Sequence, residues 1–362
     1  MENLEIKELV NTSFWKDKKV LITGHTGFKG SWLSIWLQLY GAKILGISLP
    51  PKEKNGLYEV SKINKKINKN IFLDIRKKKN FEKEIIRFQP QIIFHLAAQS
   101  LVIESYKNPL DTIETNIVGT ANLLQISRKL KTIKTIVIAT TDKVYKNKNK
   151  KISFSEKDEL GGDDIYSYSK ASVEMLVNAY RKSFFQDKTR IVTVRAGNVI
   201  GGGDWSKDRL IPDFIKSIKN KKKFLLRNPK HVRPWQHVIE CLHGYIMLVE
   251  KIYDKKDYFD YKKINFGPDK DKFSNVEKIV LKMMKKFDIS GKPLIGKKYP
   301  EFVEKTFLEL NSNKAKKLLG WKTLMSLDES IDLTLDWYDN FLNKKSIYQY
   351  TCKQIKNYIS KL

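Results

Sequence analysis

Short apolar runs alternate with longer amphipathic stretches from the start of the chain to residue 200. The apolar runs predict β-strands at Lys18–Gly24, Lys43–Ser48, Asn70–Asp74, Gln91–Ala98, Thr135–Thr141 and Arg190–Ile200. The amphipathic stretches predict helices at Gly30–Tyr40, Phe81–Phe88, Asp111–Leu130 and Tyr166–Phe185, the last capped by Asp163 or Asp164. Strands that alternate with helices of this length favour an α/β fold with a parallel, doubly wound sheet.

The pattern changes after Gly201–Gly203, where the predicted strands become shorter. We expect strands at Phe224–Leu226 and Ile264–Phe266, and helices at Val238–Ile252, Ser274–Phe287 and Leu327–Leu342. This region has no second glycine-rich turn, so we interpret residues 201–345 as a smaller, mixed α/β substrate lobe after a first domain of residues 1–200. Residues 346–362 form either a terminal helix or a frayed tail, and the pattern does not decide between them.

The composition predicts a soluble cytoplasmic protein more than a nucleic-acid or membrane protein. The net charge is +29, but lysines spread along the whole chain supply most of it, whereas nucleic-acid sites concentrate basic and aromatic residues on one face. No apolar run approaches the roughly 18 residues that span a bilayer, and no secretory signal opens the chain. The two cysteines cannot form a disulfide framework. We expect no metal site, because the spacing of His231, His237, Cys241 and His243 fits none.

Three glycines follow the first predicted strand, and the third opens a helix. Gly24, Gly27 and Gly30 have the spacing and context of a dinucleotide-binding turn, in which the backbone and a helix N-terminus approach a pyrophosphate. The second strand ends at Ser48 with no carboxylate to hold the adenosine ribose, and no arginine is nearby for a 2′-phosphate. We therefore expect NAD more than NADP. Asp74 and Ile75, after the third strand, are candidates for the adenine edge.

Tyr166 and Lys170 are spaced so that both side chains project from one face of a helix. An ammonium beside a tyrosine favours the phenolate, which brings the phenol toward use as a base near neutral pH. Thr141, at the end of the preceding strand, can hydrogen-bond to the substrate oxygen that Tyr166 would deprotonate. With the glycine turn, this pair predicts oxidation of a carbinol by a nicotinamide cofactor.

Six segments resemble the extended short-chain dehydrogenase/reductase family of NAD-dependent epimerases and dehydratases. They are Thr23–Leu33, His95–Gln99, Thr140–Tyr145, Tyr166–Lys170, Arg195–Trp205 and Arg233–Val238, and the resemblance runs from Phe14 to Asn340. It implies a Rossmann-type fold and adds Thr26, Phe28, Ala97 and Ala98 to the cofactor site. Phe28–Trp32, Asp142–Lys143, Gly201–Trp205 and Arg233–His237 are similar to the branch that dehydrates CDP-glucose.

This branch implies a hydro-lyase reaction, in which the glucose loses water between C5 and C6 after oxidation at C4. Asp142 is then the acid for the C6 hydroxyl, a role that requires it to keep its proton in a dry cleft. Lys143 is either the base for the C5 proton, in its neutral form, or the cation that stabilises the enolate. The resemblance assigns substrate binding to Gln99, Asn198, Arg209, Arg233 and Glu304.

Other interpretations remain open. A sugar-nucleotide 4-epimerase or ketoreductase would keep Tyr166 and Lys170 without needing Asp142 as an acid, and a related dehydratase could use dTDP- or GDP-linked hexoses. A regulator that senses NAD or binds nucleic acid is the alternative without catalysis. By analogy with the family we expect a homodimer formed by the helices Asp111–Leu130 and Tyr166–Phe185.

Overall fold

A computed structural model describes residues 12–147, 152–185, 189–226, 229–269, 273–291, 293–296 and 308–362. Its centre is a seven-stranded sheet in the order β7-β6-β5-β4-β1-β2-β3, with every neighbouring pair parallel. The strands are β1 (Lys19–Thr23), β2 (Lys43–Ser48), β3 (Lys69–Phe72), β4 (Ile92–His95), β5 (Thr135–Ala139), β6 (Arg190–Ala196) and β7 (Lys263–Phe266). The strand order reverses between β1 and β4, as in doubly wound folds. The predicted fold class is confirmed.

Helices cover both faces of this sheet. They are α1 (Thr12–Trp15), α2 (Phe28–Leu39), α3 (Leu57–Val60), α4 (Lys78–Phe88), α5 (Val102–Lys107), α6 (Pro109–Ile113), α7 (Gly119–Ser127), α8 (Ile165–Phe184), α9 (Leu210–Lys219), α10 (Val238–Ile252), α11 (Val276–Lys286), α12 (Asn313–Leu319), α13 (Leu327–Leu342) and α14 (Ile347–Ile359). Single 3-10 turns occur at Ile63–Lys65, Asp142–Val144 and Phe259–Tyr261. None of the helices in the described ranges is both long and apolar enough to cross a bilayer.

Strand β1 shows why the buried strands appear as continuous apolar runs. Val20 and Ile22 face a core formed with α2, α10, α13 and α14, whereas Leu21, between them, faces a second core formed with α4, α7 and α8. A parallel strand covered on both sides has no solvent-facing position that would favour polar residues. The two cores therefore fix the plane of the sheet from either side.

Two predicted elements are interrupted in the structure. The helix expected at Asp111–Leu130 begins earlier, at Pro109, and passes through a π-helical segment at Glu114–Val118 before α7. The strand expected at Arg190–Ile200 ends at Ala196 and resumes as a separate short strand, Val199–Ile200, which pairs with Gln236–His237. Both interruptions lie beside the candidate site, and uniform apolar periodicity does not reveal them.

The C-terminal part of the chain contributes to the main sheet as well as to a smaller region. We expected Ile264–Phe266 in the substrate lobe, but this segment is part of β7, which pairs with β6 at the edge of the central sheet. Short strand pairs lie outside it: Val232–Pro234 with Phe273–Asn275, Leu225–Leu226 with Leu294–Ile295, and Ser153–Phe154 with Glu309–Leu310. The division of the chain at residues 200 and 345 stays a prediction.

The last segment is a helix. In α14, Ile355 and Tyr358 are buried, and the Tyr358 ring packs edge-on against Trp36 of α2. Burial of this apolar face explains why the C-terminal residues are held against the first domain instead of fraying.

Candidate active site

The glycine turn lies where β1 ends and α2 begins. Gly24 has φ +77°, and a Cβ there would come within 2.6 Å of the backbone nitrogen of Ala97. A Cβ on Gly30 would collide with the backbone of Gly24. Gly27 is the N-cap of α2 and makes no side-chain cap bond, so the first turn of the helix presents backbone N–H groups at the strand ends. This turn fits the pyrophosphate of a dinucleotide.

Two further cofactor candidates meet at the end of β2. The hydroxyls of Thr26 and Ser48 are 2.7 Å apart, and Thr26 also donates to the carbonyl oxygen of Leu49. Ala97 lies directly over Gly24, and the ring of Phe28 lies within 3.1 Å of the position that a Cβ on Gly201 would take. The structure thus brings these predicted residues around the first βα turn; Ala98, next to Ala97, is half-buried.

Asp74 and Ile75, which follow β3, already make contacts within the protein. The Asp74 carboxylate accepts hydrogen bonds from the Arg76 guanidinium, which holds the pKa of that carboxyl below its usual value. The Ile75 side chain is buried in the core beside Gly119. Their contact with an adenine stays a prediction.

Tyr166 and Lys170 are presented by α8, whose N-terminus is capped by Asp164. The Asp164 carboxylate accepts from the backbone nitrogen and the hydroxyl of Ser167, which decides between the two caps that the pattern allowed. Tyr166 and Lys170 are both only 7% exposed. The Lys170 ammonium donates to the carbonyl oxygen of Ala139, the last residue of β5, at 3.1 Å.

The turn after β5 supplies the other three catalytic candidates. Thr141 donates to Asp142 Oδ1 at 3.0 Å, and Lys143 Nζ lies 3.4 Å from the same oxygen. Asp142 is buried, with its other oxygen facing Gly197, where a Cβ would come within 3.0 Å of it. A side chain at position 197 would therefore press on the carboxylate, a close approach that the sequence did not reveal.

Burial controls the protonation of the tyrosine. It raises the pKa of Tyr166 above the usual value, and the Lys143 ammonium, the Thr141 side chain and the Arg209 guanidinium oppose this without cancelling it. We expected an ammonium to bring the phenol toward neutral range, so this expectation is corrected: desolvation of the phenolate outweighs the nearby cations. Burial and the charge of Lys29 also lower the pKa of Lys170 to about 8.

The described substrate candidates lie in different surroundings. The Gln99 amide is bonded to Leu101 and Thr112, and therefore braces its own loop. Arg209 forms an ion pair with Asp204 at 2.8 Å and influences Tyr166, which places it near the catalytic group.

Asn198 and Arg233 lie on the segments that connect the sheet to the smaller region. Asn198 is half-buried in the break between β6 and Val199–Ile200. Arg233 is buried and donates to the Val232 carbonyl oxygen, with His231 also within hydrogen-bond distance. Glu304 lies outside the described residues.

Several polar residues of the site were missed by sequence reasoning. Asn116, in the π-helical segment, donates to the carbonyl oxygen of Gln99 and to the Ser169 hydroxyl. His95 bridges the hydroxyls of Thr23 and Thr120, and burial lowers its pKa to about 3. No distinct sequence signal marked Asn116, because it follows the polar residues Glu114 and Thr115 in the same helical stretch.

The histidine and cysteine cluster has structural roles. His237 accepts from the backbone nitrogen of Ile239 and caps α10, and the His243 ring stacks on Trp36. Cys241 is a buried free thiol. Within the described ranges, no three histidine, cysteine or acidic side chains are grouped to hold a metal ion.

Residues 21–334 match the family model described as GDP-mannose 4,6 dehydratase. The chain belongs to this family. It is 38% identical over 359 residues to the CDP-glucose 4,6-dehydratase of Salmonella typhimurium, covering 97% of this chain and 99% of that protein. It is also 26% identical to the UDP-glucose 4-epimerase of Mycoplasma genitalium, covering 90% and 97% of the two chains.

Solved structures support the fold. The UDP-glucose 4-epimerase of Thermotoga maritima superimposes with a TM-score of 0.78 at 22% identity, covering 90% of this chain and 99% of that one. The dTDP-glucose 4,6-dehydratase of Bacillus anthracis, solved with NAD, gives a TM-score of 0.73 at 23% identity, covering 91% and 99%. At these identities the likeness concerns the fold alone.

Proposed function

We propose that the protein is a lyase that converts CDP-glucose to CDP-4-dehydro-6-deoxyglucose and water. Support comes from the near full-length similarity to a CDP-glucose 4,6-dehydratase and from one observation in the site. At the end of β5 the buried Asp142 forms an ion pair with the partially exposed Lys143, and both charges act on Tyr166. An epimerase needs one acid–base group at C4, whereas a dehydratase also needs an acid at C6 and a base at C5.

The cofactor is NAD, which accepts the C4 hydride when it is bound and returns it to C6. Gly24, Gly27 and Gly30 would hold its pyrophosphate against the N-terminus of α2. Thr26 and Ser48 offer hydroxyls to the ribose at the end of β2. Neither residue carries a charge that would favour or repel an added phosphate, so we base the preference for NAD on the family.

Oxidation at C4 requires a base for the O4 proton. Tyr166 takes this role as the phenolate, and Thr141 beside it holds the same oxygen. The raised pKa of Tyr166 means that the phenolate is a minor species near neutral pH, which Lys143 and Arg209 make more accessible. When the product ketone is formed, Tyr166 holds the proton that came from O4.

Elimination requires a proton to leave C5 and a proton to reach the C6 hydroxyl. Lys143 Nζ lies 3.4 Å from Asp142 Oδ1, so transfer of one proton along this pair converts the ion pair into a neutral acid and a neutral amine. The two forms hold the same number of protons, so this transfer needs no proton from solvent. Asp142 then protonates the departing hydroxyl, and Lys143 takes the C5 proton. The alternative, in which Lys143 only stabilises the enolate, keeps it charged.

We propose that three polar residues of the site bind the nucleotide diphosphate. Arg209, Arg233 and Asn198 offer guanidinium and amide donors, and a guanidinium can bind two phosphate oxygens at once. Arg209 is paired with Asp204 in the structure, so the carboxylate holds the guanidinium in place until phosphate joins it. Gln99 and Glu304 remain proposed substrate contacts.

We propose that the enzyme is a homodimer that works in the cytoplasm. Six large apolar side chains are exposed along α5, α6, the π-helical segment and α8: Tyr106, Leu110, Val118, Tyr168, Met175 and Phe184. An apolar patch on adjacent helices is typical of a two-fold helix-pairing interface. The free thiols of Cys241 and Cys352 are compatible with a reducing compartment.

Turnover of nucleotide hexoses tests this proposal. Purified protein and NAD are incubated with CDP-, dTDP-, GDP- or UDP-glucose in separate reactions, with no added reductant. The masses of the products are measured by mass spectrometry. Loss of one water from CDP-glucose at the highest kcat/KM supports the proposal. A product of unchanged mass indicates an epimerase, and a higher kcat/KM with another nucleotide overturns the CDP assignment.

A further inference from the structure

Glu174 lies on the same face of α8 as Tyr166 and Lys170, about two turns beyond Tyr166 and one turn beyond Lys170. Its side chain is buried, and each carboxylate oxygen accepts two hydrogen bonds. Oε1 accepts from the Thr140 hydroxyl at 2.6 Å and from Arg195 Nε at 2.8 Å. Oε2 accepts from the Thr193 hydroxyl at 2.6 Å and from Arg195 Nη2 at 2.9 Å. One carboxylate therefore joins α8 to the ends of β5 and β6.

One of these bonds fixes the start of the catalytic turn. Thr140 immediately precedes Thr141, and its backbone nitrogen donates to the Val194 carbonyl oxygen on β6 at 2.9 Å. With its side chain bound to Glu174 and its backbone bound to β6, Thr140 has little freedom. The chain must then leave the sheet toward Asp142 at one defined point.

Arg195 fixes the other end of the same turn. Its Nη1 donates to the Tyr145 hydroxyl at 2.7 Å, and that hydroxyl donates in turn to Asn265 Oδ1 on β7, also at 2.7 Å. Arg195 is only 1% exposed, and its buried charge forms an ion pair with the Glu174 carboxylate. The carboxylate thus holds Thr140 directly and Tyr145 through Arg195, on either side of Thr141–Val144.

We infer that Glu174 is a positioning residue that sets the Thr141–Val144 turn in register with Tyr166 and Lys170. This inference rests on the proposed function, because it assigns the turn and α8 to two parts of one reaction. The acid and base at C6 and C5 are on the turn, whereas the base at O4 is on the helix. A single hexose must meet both, so a small relative shift between them lowers the rate without removing any reacting group.

Four conservative variants separate positioning from general stability. Thr140→Val and Tyr145→Phe each remove one link between Glu174 and the turn. Thr193→Val is the matched control, because it removes a hydroxyl bonded to the same carboxylate at the same 2.6 Å but not attached to the turn. Thr140→Ser restores the lost hydroxyl. For each protein, kcat and KM for water loss from CDP-glucose are measured together with the urea midpoint of unfolding.

We expect kcat to fall about tenfold to a hundredfold in Thr140→Val and Tyr145→Phe, with KM changed less than about twofold. The urea midpoint of Thr193→Val should fall by a similar amount, while its kcat stays within about twofold of wild type. Thr140→Ser should regain most of the rate. Equal kcat losses in Thr140→Val and Thr193→Val, or losses that follow the unfolding midpoint in all variants, would overturn the inference.

Titration of Tyr166 gives a readout that needs no turnover. Lys143, Thr141, Asp142 and Arg209 all act on the pKa of Tyr166, and three of these four belong to the turn. The titration of Tyr166 is obtained by subtracting the ultraviolet absorbance of the Tyr166→Phe variant. The pKa of Tyr166 should be changed in Thr140→Val and unchanged in Thr193→Val. If wild type dehydrates no nucleotide hexose but this difference appears, the proposed function fails and the positioning role holds. If both variants titrate as wild type does, the positioning role fails.

Discussion

Lys143 Nζ lies 3.4 Å from Asp142 Oδ1, although the two residues are neighbours in sequence and such neighbours often point apart. The 3-10 turn Asp142–Val144 brings them together, and Thr141 caps it by accepting from the Lys143 backbone nitrogen. The buried acid and its partially exposed cationic neighbour therefore form one unit at the end of β5. In the proposed mechanism, Asp142 gives its proton to the C6 hydroxyl and Lys143 takes the proton from C5.

Replacing the acid should stop water loss without preventing binding. In Asp142→Asn, the rate of water loss from CDP-glucose should fall about 10²- to 10⁴-fold, because the C6 hydroxyl has no proton donor when it departs. Calorimetry should give a Kd for CDP-glucose close to that of wild type. Unchanged turnover in this variant would remove Asp142 from the mechanism.

Two substitutions at Lys143 distinguish a base from an enolate stabiliser. Arginine keeps its positive charge at any pH that proteins withstand, so Lys143→Arg cannot provide a neutral amine. We expect Lys143→Arg and Lys143→Met to lose water elimination to a similar extent, measured by product mass over time. A Lys143→Arg variant that retains most of the activity lost in Lys143→Met would instead assign the residue to enolate stabilisation.

The buried Lys170 should lower the free energy of unfolding. Its pKa falls from 10.5 to about 8, so protonation is less favourable in the folded chain than in the unfolded one. Removing it in Lys170→Met should raise the free energy of unfolding at pH 7 by about 2 kcal/mol, after allowance for the lost bond to Ala139.

The pH dependence supplies the check on this prediction. Below about pH 8 both states of the wild type bind the Lys170 proton, and the full penalty applies. Between pH 8 and 10.5 only the unfolded state binds it, so wild type gains stability relative to Lys170→Met as pH rises. Urea unfolding at pH 7 and pH 9.5 measures both values. A difference between the two proteins that does not change with pH would contradict the assigned pKa.

His95 should make the fold sensitive to acid. Its pKa is lowered to about 3, and the ring is bonded on both sides by threonine hydroxyls. From pH 6.5 downward the unfolded chain binds a proton that the folded chain does not, which lowers the free energy of unfolding by about 1.4 kcal/mol per pH unit. In His95→Asn the slope measured by urea unfolding between pH 6 and 4.5 should be shallower by about this amount. Identical slopes would show that His95 titrates in the folded state.

The proposed dimer interface can be tested with a matched pair of exposed apolar residues. Met175 on α8 is 55% exposed, and Ile295, in the smaller region, is 64% exposed. Met175→Glu should convert the dimer to a monomer in light scattering, because two buried charges would face each other across a two-fold axis. Ile295→Glu should leave the mass unchanged. A monomeric wild type would contradict the proposed assembly.

Periodicity predicted strands β1 to β6 and the face of α8 that carries Tyr166 and Lys170, although it missed the end of β6 at Ala196. It could not place β7, because a four-residue apolar strand carries no information about which sheet edge it joins. It also missed the pairing of Glu174 with Arg195, which depends on how a helix and a strand pack. The direction of the Tyr166 pKa shift follows from burial, and burial is a property of the folded chain.

The most direct test of the account follows one hydrogen atom. CDP-glucose carrying deuterium at C4 is converted with NAD in ordinary water, and the product is analysed by nuclear magnetic resonance and mass spectrometry. We predict a 4-keto product with the deuterium retained in its C6 methyl group and a proton from solvent at C5. Deuterium that remains at C4, or that is lost to solvent, would contradict an internal transfer from C4 to C6.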